Sequence, residues 1–181
     1  AIYSRTPGGA SLGIGFAIPA ATAKQVLDQL GYPRYYLDFE TVAPAVPRWL
    51  KSRPYQQIPF QWSCHKEVSA NADLLHTQYL HSDATDPRRV FAESLLQTLG
   101  EVGPILVYNA SFERTRIQEL ADCFTDLAPA LSALVTRIVD LLPLAQKNYY
   151  HPAMLGSWSI KAVLPTVSDL EYGSLNIGNG G

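Results

Sequence analysis

Cysteine is scarce in this chain. There are two in 181 residues, Cys64 and Cys123, far apart and without metal-type spacing. That excludes a disulfide framework and a thiolate metal cluster. Two inert thiols in a cytoplasmic protein are the expectation, with a single disulfide as the alternative. Charge is also low: charged residues make up 17% of the chain and the net charge is -2. There is no general basic footprint for nucleic acid, although bound metal ions and a few local Arg and Lys can supply a positive field where one is needed. Long apolar runs are absent, so no membrane partner is expected. Ile14 to Ala21 is apolar but short, with one Arg before it, a poor signal peptide. What is present, 47% hydrophobic residues, fits a globular domain with its own core.

The ends look cut. The chain starts at Ala1 and stops at Asn179-Gly180-Gly181, and its first twenty or so residues are rich in Gly, Ala and Ser without a period. Residues 1–33 are expected to form an N-terminal linker and a short helix over Thr22 to Leu30, and residues 34–181 a folded domain of a longer parent with additional domains.

The order of elements points to an α/β fold. Arg34 to Thr41 reads as a strand. Val42 to Pro54, with three prolines, reads as a loop carrying Arg48, Lys51 and Arg53 beside Trp49. Ile58 to Val68 and Leu74 to Leu80 read as antiparallel strands, with turn residues Asn71-Ala72-Asp73 between them. Pro59 marks an edge or a strand start. Asp86-Pro87 opens a helix with Val90, Phe91, Leu95, Leu96 and Leu99 as its apolar face and Gly100 as its end. Pro104 to Tyr108 is a fully buried strand of the parallel kind, followed by a helix from about Ser111 to Ala121. One or two helices are expected between Asp126 and Ala145, an aromatic loop at Asn148 to His151, and a short helix around Ser159 to Leu164. A meander followed by a right-handed crossover fits this order and brings the crossover strand beside the first.

The chemistry is concentrated in Arg-Tyr-Tyr-Leu-Asp-Phe-Glu-Thr, residues 34 to 41. Side chains at i and i+2 share a strand face, so Asp38 and Glu40 project together and Leu37 and Phe39 project oppositely. Two carboxylates side by side on a core strand repel and resist desolvation. A hard divalent cation stabilises them; a solvated edge strand is the bland alternative. Asn109 ends the crossover strand, and Glu113 lies in the first turn of the following helix. Helix-dipole chemistry is the simpler account of Glu113.

Asp38-Phe39-Glu40-Thr41 followed by Tyr108-Asn109-Ala110-Ser111-Phe112-Glu113 resembles the first two motifs of the DEDD-type 3′–5′ exonucleases, which have the ribonuclease-H-like fold. The chain also resembles a bacterial branch described as a domain of unknown function. The shared phrases are Arg53-Pro54-Tyr55, Ile58-Pro59-Phe60-Gln61, Asp86-Pro87-Arg88, Tyr108 to Glu113, Arg137-Ile138-Val139-Asp140-Leu141, Tyr150-His151-Pro152 and Gly156-Ser157-Trp158-Ser159-Ile160-Lys161. This covers about Arg34 to the C-terminus.

The resemblance implies a ribonuclease-H-like mixed sheet, an antiparallel meander followed by a parallel crossover strand, flanked by helices. It implies hydrolysis of DNA or RNA, with single-stranded 3′ ends as substrate, by two Mg2+ or Mn2+ ions. Asp38 would bridge both ions, Glu40 would bind the nucleophile-side ion, and Glu113 stands where the family has Asp. Asn109, Asp140, His151 and Lys161 are candidate supporting residues. Their bland readings are a strand end, an N-cap, a packed aromatic loop and an exposed helix lysine.

The resemblance has one gap. The family carries a fourth acid, an Asp on a late helix with a Tyr or His about one turn before it. Asp169 has Pro165 and Leu164 at those offsets, and Asp140 has Thr136 and Val135, so neither fits. The fourth acid is expected in sequence beyond this chain, with weak metal binding as the consequence. The alternative function is a non-catalytic nucleic-acid-binding or scaffold module of a larger protein. A carboxylate-pair glycosidase needs its acids across a cleft, which neighbours on one strand do not provide.

Overall fold

A computed structural model describes residues 27–167 of the chain. The N-terminal linker, most of the Thr22 to Leu30 helix, Asp169 and the Gly-rich end lie outside the described residues.

The strands are β1 (Arg34–Val42), β2 (Ile58–Glu67), β3 (Leu75–Leu80), β4 (Ile105–Val107) and β5 (Ile138–Asp140). They form one sheet in the order β3-β2-β1-β4-β5. β1 pairs antiparallel with β2, and β2 with β3. β4 runs parallel to both β1 and β5. The meander and the crossover are thus as expected, and β2 alone runs against the other strands. β1 is the central strand, which removes the solvated-edge account of Asp38 and Glu40.

The fifth strand corrects the sequence reading, which places only helix between Asp126 and Ala145. The chain there forms helix Ala128–Thr136, then β5, then helix Leu142–Asn148. β5 has three residues and only Ile138 is fully buried, too short for a period-two pattern to register. Pro59 stands at the start of β2, opposite Thr41 and beyond the reach of β3, so the strand-start reading holds and the edge reading does not.

Helices α1 (Arg88–Leu99), α2 (Ser111–Cys123) and α3 (Ala128–Thr136) cover one face of the sheet. Tyr35, Leu37, Phe39, Trp62, Cys64, Ile105 and Val107 meet Phe91, Leu95, Ile117, Leu120 and Leu131 there. Val90, assigned to the apolar stripe of α1, is exposed, and Ala92 is buried instead. The opposite face carries a smaller core in which Tyr36 and Leu106 pack with Leu27, Leu141 and Ala145. Helix α4 (Leu142–Asn148) contributes Ala145, and the short helix α5 (Ile160–Val163) follows a 3-10 turn at Pro152–Met154.

Buried ions are tied to backbone. Arg34 bonds Glu67 at 3.3 Å and the carbonyls of Leu27 and Leu30, and the Tyr36 hydroxyl donates to Glu67 at 3.0 Å. Arg137 donates to the carbonyls of Leu99, Gly100, Val102 and Gly103, clamping the end of α1 to the entry of β4. Gly103 has φ +92°, and a Cβ on it would lie 2.0 Å from the Pro33 carbonyl oxygen. Both cysteines are free, so the disulfide alternative is not realised.

Candidate active site

Register sets the geometry. Tyr36 of β1 lies beside Leu106 of β4, so Asp38, two residues further along β1, is level with the end of β4, where the chain turns into α2. Leu37 and Phe39 join the larger core while Tyr36 joins the smaller one. Asp38 and Glu40 therefore share the face of Tyr36, as alternation requires.

The turn from β4 to α2 depends on Asn109. Its φ is +72°, a left-handed conformation that Asn tolerates better than most residues. Its amide donates to Asp140 Oδ1 at 3.0 Å, and its Oδ1 accepts the Ser111 hydroxyl at 2.9 Å. Asn109, an exposed residue, shapes the turn through these two contacts. Asp140 Oδ1 also accepts the Leu142 amide at 2.9 Å, which is the capping role its bland reading assigns.

The turn brings Glu113 into the core at the start of α2. Glu113 is only 3% exposed, and its Oε2 is buried without a hydrogen-bond partner among the described residues. Burial, together with the negative charges of Asp38 and Asp140 and against a bond from its own backbone amide, pushes its carboxyl up to about 8. Burial also raises Asp38, despite the Phe39 amide that donates to its Oδ1 at 3.1 Å. Glu40 is raised by partial burial and then by Asp38, and is opposed by Lys161. One electrostatic group thus links Asp38, Glu40, Glu113 and Asp140, with Asp38 coupled to both Glu40 and Glu113.

Lys161 arrives from α5. Ser159 caps that helix, accepting the Lys161 amide at 3.3 Å. The Tyr108 hydroxyl donates to the Trp158 carbonyl at 2.8 Å, and Trp158 packs on the smaller core. This fastens α5 over the end of β4 and leaves Lys161 within electrostatic range of Glu40. His151 is placed differently. It is exposed, and its Nδ1 accepts the Ala153 amide at 3.2 Å to cap the 3-10 turn.

The donor set suits a hard cation. All of the linked acids are oxygen donors, and a buried Glu113 Oε2 without a partner among the described residues, near Asp38 and Glu40 that are each raised by burial, is the arrangement a cation relieves. Among the described residues, however, no three His, Cys, Asp or Glu side chains converge at metal-ligand spacing.

Sequence reading missed the contacts that cross the fold. Arg116, one turn after Glu113, bonds Gln57 and also Glu119 at 2.9 Å. No local signal marks a pair separated by 59 residues.

Fold and site together define a mixed α/β protein with an acidic cluster at the C-terminal ends of its parallel strands. The family described as "Domain of unknown function (DUF2779)" matches residues 35–159, and the chain belongs to that family. It is 29% identical over 177 residues to the uncharacterized protein MG366 homolog of Mycoplasma pneumoniae, covering 87% of this chain and 26% of the relative. It is 24% identical over 181 residues to the uncharacterized protein UU173 of Ureaplasma parvum, with the same two coverages, 87% and 26%. The chain thus spans about a quarter of the length of the curated relatives it matches. No solved structure matches it. Among the described residues no helix is long and apolar enough to cross a membrane.

Proposed function

We propose that this chain carries the catalytic core of a metal-dependent 3′–5′ exonuclease with a ribonuclease-H-like sheet, acting on DNA or RNA. The observation that carries this reading is the electrostatic coupling of acids from two segments of the chain. Asp38 and Glu40 lie on one face of the central strand, and Glu113, in the first turn of the helix after the crossover strand, is within electrostatic range of Asp38. The strand order supports the fold assignment. The buried, unpartnered oxygen of Glu113 supports an ion-binding role.

Asp38, Glu40 and Glu113 would hold two Mg2+ or Mn2+ ions. When bound, such a pair acidifies the attacking water and stabilises the leaving oxygen. The chain's own groups do the rest. Asp38 is the acid coupled to both of the others and would be the shared ligand. Glu40, the most exposed of the three, is placed to orient a water. Lys161 offsets the charge of Glu40 and supplies a cation toward a bound phosphate. Asp140 and Asn109 hold the turn that carries Glu113.

The test is shortening of end-labelled single strands. With magnesium or manganese, strands carrying a free 3′ end are expected to lose nucleotides from that end, and strands blocked there to persist. A folded protein that shortens neither strand with either metal would count against catalysis.

A second reading is a nucleic-acid-binding or scaffold module without catalysis. The absence of three converged ligands among the described residues favours it, as does the commitment of Asp140 Oδ1 to two backbone amides. It predicts strand binding that neither metal nor Asp38→Asn alters.

A further inference from the structure

A hollow with several charged and amide side chains in its lining lies beside the acids, not among them. Two adjoining hollows, of about 230 and about 440 Å³, share Arg53, Gln56, Gln57, Arg116 and Glu119. Together they form a groove between residues 51–59 and α2. The groove starts close to the acidic cluster on both sides. Arg116 is one helical turn from Glu113. Ile58 and Pro59 pair with Val42 and Thr41, just beyond Glu40.

Its charge contrasts with that of the whole chain. Lys51, Arg53, Arg88 and Arg116 line the groove against Glu119 and Asp122, in a protein of net charge -2, and the chain from Thr41 to Lys66 holds no Asp or Glu. Lys51 is exposed and makes no ion pair among the described residues. The Arg53 side chain is 75% exposed, and its ion pair with Glu119 is long, at 3.7 Å. An exposed pair of this kind costs little to exchange for a phosphate. The groove's acids are already engaged: Glu119 accepts from Arg116, and Asp122 from Gln118. Tyr55 stands on the wall, 72% exposed, beside the amides of Gln56 and Gln57. Lys51 and Tyr55 both hold left-handed backbone, with φ of 61° and 57°, so the loop turns sharply at each of them.

Mobile-stemmed cations, side-chain amides and an exposed ring along one channel are the elements that bind a single strand: cations along the backbone and an aromatic face for a base. We propose that this groove binds the sugar-phosphate backbone of a single-stranded nucleic acid, with Lys51 and Arg53 on phosphates and Tyr55 under a base. This rests on the nuclease reading for the nature of the substrate, but it assigns residues that the acidic cluster does not contain.

The test is binding rather than cleavage. Fluorescein-labelled oligo-dT and oligo-U are titrated with the 181-residue chain in EDTA, and anisotropy is followed over a salt series. Lys51→Asn combined with Arg53→Gln removes both charges while keeping a residue that accepts the left-handed backbone at 51. This variant should bind about tenfold more weakly at 0.1 M salt, and its log–log salt slope should be flatter by roughly 1.4. Tyr55→Asn should bind roughly fivefold more weakly with the slope unchanged. Lys147→Gln, an exposed lysine on α4, should match wild type. Circular dichroism establishes that each variant is folded, and Tyr55→Asn serves alone if the double variant is not. Tighter binding of one oligonucleotide names the strand, and equal binding means that only the shared backbone is read.

Wild-type affinity and slope in the double variant would overturn the proposal, as would a wild-type chain that binds neither strand. The two readings separate cleanly. Binding lost in the variant, with no metal-dependent shortening by wild type, keeps the groove and removes the nuclease. Shortening with an unchanged KM in the variant keeps the nuclease and removes the groove.

Discussion

Glu113 is held against its own chemistry. The first turn of a helix favours a carboxylate, yet burial and the charges of Asp38 and Asp140 raise its carboxyl from the ordinary 4.5 to about 8. Between those values the folded chain keeps a proton that the unfolded chain has released. The stability tied to this group is thus complete below about pH 4.5 and is lost as pH rises through 8. Glu113→Gln cannot ionise and escapes that loss. Urea unfolding between pH 5 and pH 9 should show wild type losing on the order of a few kcal/mol relative to this variant. Parallel curves would mean that Glu113 is not the buried acid described. Asp38 is likewise raised by burial, so Asp38→Asn removes a costly charge. Its melting temperature should equal or exceed that of wild type while any metal-dependent activity disappears. Activity surviving in Asp38→Asn would place the site elsewhere.

At the level of elements, what was legible in the sequence was what repeats over several turns or pleats. The alternation of Leu37 and Phe39 against Asp38 and Glu40 identified both the strand and its acidic face. The buried Ile105-Leu106-Val107 run identified the crossover strand. β5 was not legible, because three residues between two helices carry no period, and its pairing with β4 is a property of the sheet. Nor was the clamp made by Arg137 legible, since its carbonyl partners lie in a different part of the chain. The same junction holds Gly103, where left-handed backbone and the Pro33 carbonyl leave no room for a side chain. Gly103→Ala should destabilise the fold by on the order of 2 kcal/mol or more, read as a lower denaturation midpoint. An unchanged midpoint would show that the β4 entry does not pack on Pro33 as described.

At the scale of the molecule, the sheet order gathers residues that are distant in the sequence. A central β1 with a parallel neighbour brings Asp38 and Glu40 to the start of α2, and α5 caps that end with Lys161. The basic groove beside them adds a surface suited to an anionic strand. The chain spans about a quarter of its curated relatives, so the activity of the whole protein is a proposal built on this part. The fourth acid of the resemblance was not legible in this chain; among the described residues Asp140, whose Oδ1 accepts two backbone amides, lies within electrostatic range of Glu113, and His151 caps its own turn. Three acids without a fourth predict weaker ion binding than a complete cage gives.

The nuclease proposal depends on Asp38, Glu40 and Glu113 forming one cation site. Manganese titration followed by electron paramagnetic resonance reads this directly, because free Mn2+ gives a sharp signal that binding broadens. The account predicts saturable binding by the wild-type chain, displaced by magnesium and weakened at least about tenfold in Asp38→Asn, the loss of roughly 1.4 kcal/mol or more. No saturable binding, or equal binding by wild type and Asp38→Asn, would contradict it.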